Sequence, residues 1–136
     1  MSADPDRRRG RRWRPLDAGT AIDAIPYSPA ALTDDGTLHI SGQIAVDAGG
    51  LPLAPDVESQ TRHVLGAISA LVEAAGGSLG DACFVSTHLA RAADFDGFNR
   101  VYAECFSPPY PARITTVAGE LLAPGVLVES CAVARV

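Results

Sequence analysis

Two side chains of opposite charge sit where charge is costly. Arg113 stands in Pro111-Ala112-Arg113-Ile114-Thr115-Thr116-Val117, just after a proline-rich turn and among small and apolar neighbours. Glu129 follows soon after, in Val126-Leu127-Val128-Glu129. A guanidinium is planar and can grip a carboxylate through two parallel hydrogen bonds, which fixes both its position and its orientation. If such a group is buried it needs an anionic partner, because an unpaired buried charge is expensive. That partner is Glu129, a bound carboxylate, or both.

The rest of the charge pattern sharpens the choice. The chain has no lysine, and six of its eleven arginines fall between Arg7 and Arg14. From Ala21 onward only Arg62, Arg91, Arg100, Arg113 and Arg135 face thirteen carboxylates. Residues 1–20 are net +3, so the remainder carries −8 of the overall −5. Such a body is a poor surface for nucleic-acid phosphate, which needs clustered cations. Cys83, Cys105 and Cys131 are odd in number and widely spaced, giving neither a disulfide framework nor a zinc pattern. The three histidines are scattered, and no apolar run is long enough to span a bilayer. These features predict a reduced, metal-free, cytoplasmic protein. Its 136 residues suffice for one domain with a real core.

Residues 1–20 read as an arginine-rich, disordered extension, and 21–136 as the single domain. The segment after the arginines, Pro15 to Thr20, is too polar for the apolar core of an export signal. Ile22 to Leu32 is expected to be extended. Thr33-Asp34-Asp35-Gly36-Thr37 predicts a hairpin turn into the strand Leu38 to Gly42. Asp47 to Pro55 is a loop. From Asp56 the apolar period becomes helical, with Val57, Thr61, Val64, Leu65, Ile68, Leu71 and Val72 on one stripe and Asp56 as N-cap. Asp81 to Ala90 reads as a strand with Cys83, Val85, Thr87 and Leu89 on one face. His88 lies on the other face and is better read as a hydrogen-bonded structural histidine than as part of a site. Asp94 is expected to cap a second helix that buries Phe95, Phe98, Val101, Tyr102 and Phe106.

Two strands close the chain, Ala112 to Ala118 and Val126 to Val136. In the last, Val126, Val128, Ser130, Ala132 and Ala134 share one face and Leu127, Glu129, Cys131 and Val133 the other. Both faces are largely apolar, so both should be covered. Two helices cannot cover them all, so the uncovered sheet face is expected to meet other copies of the chain.

The element order and several separated motifs resemble the RidA (YjgF/YER057c/UK114) family from about Ile25 to the C-terminus. The motifs are Pro26-Tyr27-Ser28, Ser41-Gly42-Gln43, Asn99-Arg100-Val101-Tyr102, Pro111-Ala112-Arg113 and Val128-Glu129. The resemblance implies an α+β, chorismate-mutase-like fold, a mixed sheet with two helices on one face. It also implies a homotrimer built round a central β-barrel, with clefts between subunits. The implied activity is hydrolysis of reactive 2-imino and enamine acids to 2-oxo acids and ammonia, without cofactor or metal. Arg113 matches the arginine that clamps the substrate carboxylate, and Glu129 the glutamate that positions water. Tyr27, Ser41, Gly42 and Asn99 match residues lining the cleft. Thr115, two residues beyond the arginine, completes the candidate substrate-binding set. The implied partner is a small imino acid or related carboxylate, with no membrane and no nucleic acid.

The residues suit this chemistry. An imine is already electrophilic, so an oriented water, a carboxylate to assist it and polar groups around the adduct are enough. Arg113 and Glu129, on what read as neighbouring strands, could supply two of these parts; the alternative is that they form only a buried ion pair. The chain also departs from the family pattern. Ile25 replaces a usual glycine and Pro29 a common glutamine. Ile114-Thr115 stands where Ser-Cys is typical, Thr116 and Ser130 replace apolar residues, and Cys131 replaces a frequent second glutamate. Three further readings therefore accompany the scavenging deaminase. One is a dedicated pathway enzyme for a larger imine, and another a non-catalytic trimer that binds a carboxylate metabolite. The last, a ribonuclease, is disfavoured by the acidic body.

Overall fold

The hairpin forms where the sequence places it. The computed structural model describes residues 10–22 and 24–136, and in it β2 (Ala30–Thr33) turns into β3 (Thr37–Gln43). Gly36 takes the positive φ of 89° that the turn requires. The Thr33 hydroxyl and the Thr37 amide both donate to the Asp35 carboxylate, which holds its pKa down to about 2.

The remaining elements are β1 (Trp13–Leu16), α1 (Val57–Ala74), β4 (Ala82–Leu89), α2 (Phe95–Cys105), β5 (Ala112–Val117) and β6 (Val128–Arg135). They build one six-stranded sheet in the order β1-β2-β3-β6-β4-β5. Every neighbouring pair is antiparallel except β4 and β5, which run parallel and are joined through α2. A parallel pair needs such a crossover, since a tight turn cannot reverse the chain twice. Among the described residues no helix is long and apolar enough to cross a membrane.

The fold corrects the N-terminal boundary. Trp13 to Leu16 is not a tail but an edge strand, pairing Trp13 with Thr33 and Leu16 with Ala30. Pro15 is tolerated there because an edge strand leaves one side without ladder bonds. Arg7, Arg8 and Arg9 lie outside the described residues. Only the last part of the expected extended stretch Ile22–Leu32 is strand.

Helix α1 follows its pattern closely. The Asp56 carboxylate accepts from the Ser59 amide at 2.9 Å, and Gly76, with φ of 94°, ends the run. Val64, Leu65, Ile68, Leu71 and Val72 are buried against β3 and β6. Each such side chain contributes about 1.5–3 kcal/mol by leaving water. Small residues on the facing stripe of β6, Ser130, Ala132 and Ala134, leave room for the helices. The Ser130 hydroxyl is buried but bonded to that of Thr87 at 2.7 Å, so a polar residue stands in this core without penalty.

Two details of the second half differ from expectation. Asp94 does not cap α2 with its side chain; its carboxylate takes two hydrogen bonds from Arg91, at 2.9 and 3.0 Å, within a preceding 3-10 turn. Phe95 is exposed, while Phe98, Val101, Tyr102 and Phe106 are buried. In β4 the pairing with β6 shifts between Ala82 and Phe84, and the extra residue turns Cys83 outward and Ala82 inward.

One buried polar side chain ties the helix layer to the loop that leads into β6. Gln60 is fully buried; its amide donates to the carbonyls of Ala54 and Gly125, both at 2.9 Å, and accepts from the Leu127 amide at 2.8 Å. Gln60→Leu keeps the size but leaves three buried backbone groups without partners. The expected loss of stability is about 3 kcal/mol, read from the denaturant midpoint. An unchanged midpoint would show that the loop is held some other way.

Candidate active site

Arg113 is the second residue of β5, placed there by the prolines that end the segment after α2. It lies opposite Val85 of β4, which in turn pairs with Ala132 of β6, and both of those are buried beneath the helices. Residues in register share a face, so Arg113 projects on the helix-bearing side. Its guanidinium carbon lies 4.8 Å from the Tyr102 ring centre, 5.5 Å from Phe98 and 5.9 Å from Phe95. These aromatic faces attract the cation without neutralising it. Arg113 is exposed and makes no ion pair among the described residues. The guanidinium is therefore not buried as expected, and of the two partners the sequence left open, Glu129 of the same chain is not the one it meets.

Asn99 sits one helical turn before Tyr102, and with Tyr110, Pro111 and Arg113 these residues line a cleft of about 320 Å³. Three buried polar atoms in this neighbourhood have no hydrogen-bond partner: Asn99 Oδ1, the Tyr102 hydroxyl and Thr115 Oγ1. Such groups are rare in native proteins and each costs about 1–3 kcal/mol. Burial pushes the Tyr102 phenol up, with the Arg113 charge opposing it, so at neutral pH the hydroxyl keeps its proton. Thr115 shares Arg113's face but opens onto a separate hollow beside Phe95 and Val117. Tyr102 is the residue that reading the sequence missed here. Its place in the apolar stripe of α2 disguised a polar tip.

Glu129 belongs to another place. It is opposite His88 of β4, which is opposite Thr116 of β5, a row on the face away from the helices. His88 Nδ1 bonds the Thr116 hydroxyl at 2.6 Å. The Glu129 carboxylate leans to the other side, over Gly42, where a Cβ would collide with it. Tyr27, Ser41, Gly42 and Glu129 all line one cavity of about 540 Å³. The Tyr27 hydroxyl accepts from the Ile22 amide at 2.8 Å and keeps its own proton to donate. Ser41 Oγ donates to the Ser28 carbonyl at 2.6 Å and retains acceptor capacity.

The candidate residues thus fall into two groups. Arg113, Asn99 and Thr115 lie on one face of the sheet, and Tyr27, Ser41, Gly42 and Glu129 around the other. β5 and β6 are not neighbours, as their order in sequence suggested, because β4 lies between them. Two strand spacings of about 4.8 Å and opposite faces keep Arg113 and Glu129 of one chain off a common small ligand.

The sequence pattern of the endoribonuclease L-PSP family matches residues 19–136. A protein of unknown function of the Rid family from Yersinia pestis is similar in structure, with a TM-score of 0.82 and 31% identity over 91% of this chain and 99% of its own. RidA from an Antarctic Psychrobacter superposes with a TM-score of 0.79 at 29% identity, covering 93% and 100% of the two chains. A Mycobacterium tuberculosis member of the YjgF/YER057c/UK114 family gives 0.74 at 26%, covering 83% and 89%.

Proposed function

The chain belongs to the endoribonuclease L-PSP (YjgF/RidA) family, and from that premise we propose that it hydrolyses 2-imino and enamine acids to 2-oxo acids and ammonia. The observation that carries this reading is the split site. One face offers an unneutralised guanidinium among unpartnered polar atoms. The other offers a carboxylate against a glycine. Each is half of what the reaction needs, so Arg113 of one copy meets Glu129 of the next. The face away from the helices exposes Phe84 and Ile114, apolar surface suited to self-association. A closed homotrimer, with these sheet faces turned toward a central barrel in the chorismate-mutase-like manner, would form three equivalent clefts in the cytoplasm.

In each cleft the Arg113 guanidinium holds the substrate carboxylate, presenting the imine carbon to a water on the Glu129 side. Glu129 takes one proton from the water as its oxygen bonds to that carbon, and that proton passes on to the imine nitrogen to give a carbinolamine. On collapse the carbinolamine hydroxyl forms the carbonyl and gives up its proton through Glu129 to the departing nitrogen, so the C–N bond breaks, ammonia leaves and Glu129 is again ionised. Water is consumed, nothing is oxidised or reduced, and Tyr27 and Ser41 supply hydrogen bonds to the adduct. The acidic body, five arginines against thirteen carboxylates from Ala21 onward, favours this reading over RNA cleavage.

The test is release of ammonia and 2-oxo acid from freshly generated 2-imino acids, scored above their spontaneous decay. A protein-dependent excess is expected. A well-folded oligomer giving no excess with any member of the series would overturn the reading.

A further inference from the structure

Resting on that reading, we propose that the cavity beside Glu129 selects 2-imino acids with large apolar side chains, branched or aromatic, over those with only a methyl or ethyl side chain. The cavity measures about 540 Å³, within the range of about 300–1,000 Å³ that accommodates drug-sized ligands. Its polar groups, Ser41 and Glu129 among them, account for only part of its wall. The rest is Ile22, Ile25, Ile44, Leu122, Ala123 and Pro124. Two of these apolar side chains lie open to solvent, Ile25 at 52% and Leu122 at 100% exposure. A methyl or ethyl group on the substrate would leave most of that surface wet; a branched or aromatic group would cover it.

The segments that carry both walls are anchored to the fold. On one side the Ile22 amide bonds the Tyr27 hydroxyl, and the Tyr27 amide bonds the Ile25 carbonyl at 2.9 Å. On the other, Gln60 fixes the loop carrying Leu122 to Pro124 through Gly125 and Leu127. A wall ordered before the ligand arrives spends less of the binding energy on ordering itself. The occupant is the substrate's side chain rather than a separate molecule, because the cavity is continuous with the carboxylate that would direct water to the imine carbon.

The experiment compares kcat/KM for 2-imino-4-methylpentanoate and 2-iminopropanoate, in the intact protein and in Ile25→Gly and Leu122→Ser, with assembly followed by light scattering. One well-fitted methylene discriminates by about 10-fold or more, so the branched substrate should lead by about 10- to 100-fold. That ratio should fall about 10-fold in either variant, with the oligomer retained. Binding of the stable acids 4-methyl-2-oxopentanoate and pyruvate, by calorimetry, should show the same order without turnover. A flat ratio or a preference for the small acid overturns the inference while leaving the deaminase reading intact. So does dissociation of the oligomer in both variants, since those side chains would then be subunit contacts. Absence of turnover with every imine overturns the deaminase reading itself.

Discussion

Arg113→Ala is expected to lower kcat/KM toward 2-imino acids by about 10²- to 10³-fold while the chain stays folded and assembled. A charge-assisted, two-point grip on a carboxylate is lost together with the alignment it imposes. Losing a desolvated charge pair costs about 2–5 kcal/mol in comparable interfaces. At about 1.4 kcal/mol per tenfold, that is a large fraction of the rate. Stability should change little, because the guanidinium is exposed and its removal strands no partner carboxylate among the described residues. What it gives up is stacking over Tyr102 and Phe98, about 0.5–1 kcal/mol at an exposed site. Arg113→Lys should recover part of the binding and little of the orientation, since an ammonium lacks the planar fork. Steady-state kinetics beside a thermal melt would separate these outcomes, and an Arg113→Ala protein active within a few-fold would remove Arg113 from the site.

Gly42→Ala is the second large effect, and it comes from a single methyl group. A Cβ at Gly42 would land on the Glu129 carboxylate, with its carboxyl carbon at 3.0 Å and the next carbon at 3.2 Å. Gly42 is not among the glycines with positive φ, so alanine meets no backbone strain there. The obstacle is the mobile end of a side chain, which can swing away at small cost. The fold should therefore hold, with stability changed by about 1 kcal/mol or less, while the carboxylate leaves its station. Misplacing a catalytic group by about 1 Å can cost 10²-fold, so kcat should drop by about that factor with KM nearly unchanged. Glu129→Gln, which keeps the shape and removes the base, should lose about 10²–10⁴-fold. A Gly42→Ala enzyme with normal kcat would mean that Glu129 does not act from where it stands.

The sequence made the local elements legible because their signals are local. The Asp-Gly turn, the α1 stripe with its Asp56 cap and the alternation of β6 each depend on residues a few positions apart. Alternation also placed Glu129 correctly on the face away from Val128 and Ser130. What it could not deliver was the insertion of β4 between β5 and β6. That is a long-range pairing, and it sends Arg113 and Glu129 to opposite faces. The buried ion pair is a reasonable alternative only if those strands are neighbours. Cys83 was assigned to the wrong face because a one-residue shift in pairing leaves no mark on the alternation. Gln60 and Tyr102 were hidden by their company: both sit in apolar helix stripes, and only the packed structure shows one polar end satisfied three times and the other not at all. Trp13 to Leu16 read as tail because arginine and proline outweighed a four-residue strand signal at a sheet edge.

The most direct measurement mixes two inactive chains. Arg113→Ala and Glu129→Gln would each be purified, shown to be folded and silent, and then unfolded and refolded together. If each site takes its arginine from one copy and its glutamate from the next, random mixing restores intact sites. About a quarter of wild-type activity should return in an equal mixture. If both residues serve a site within one chain, no mixture contains an intact site and activity stays at the level of the separate mutants. That result would contradict the account.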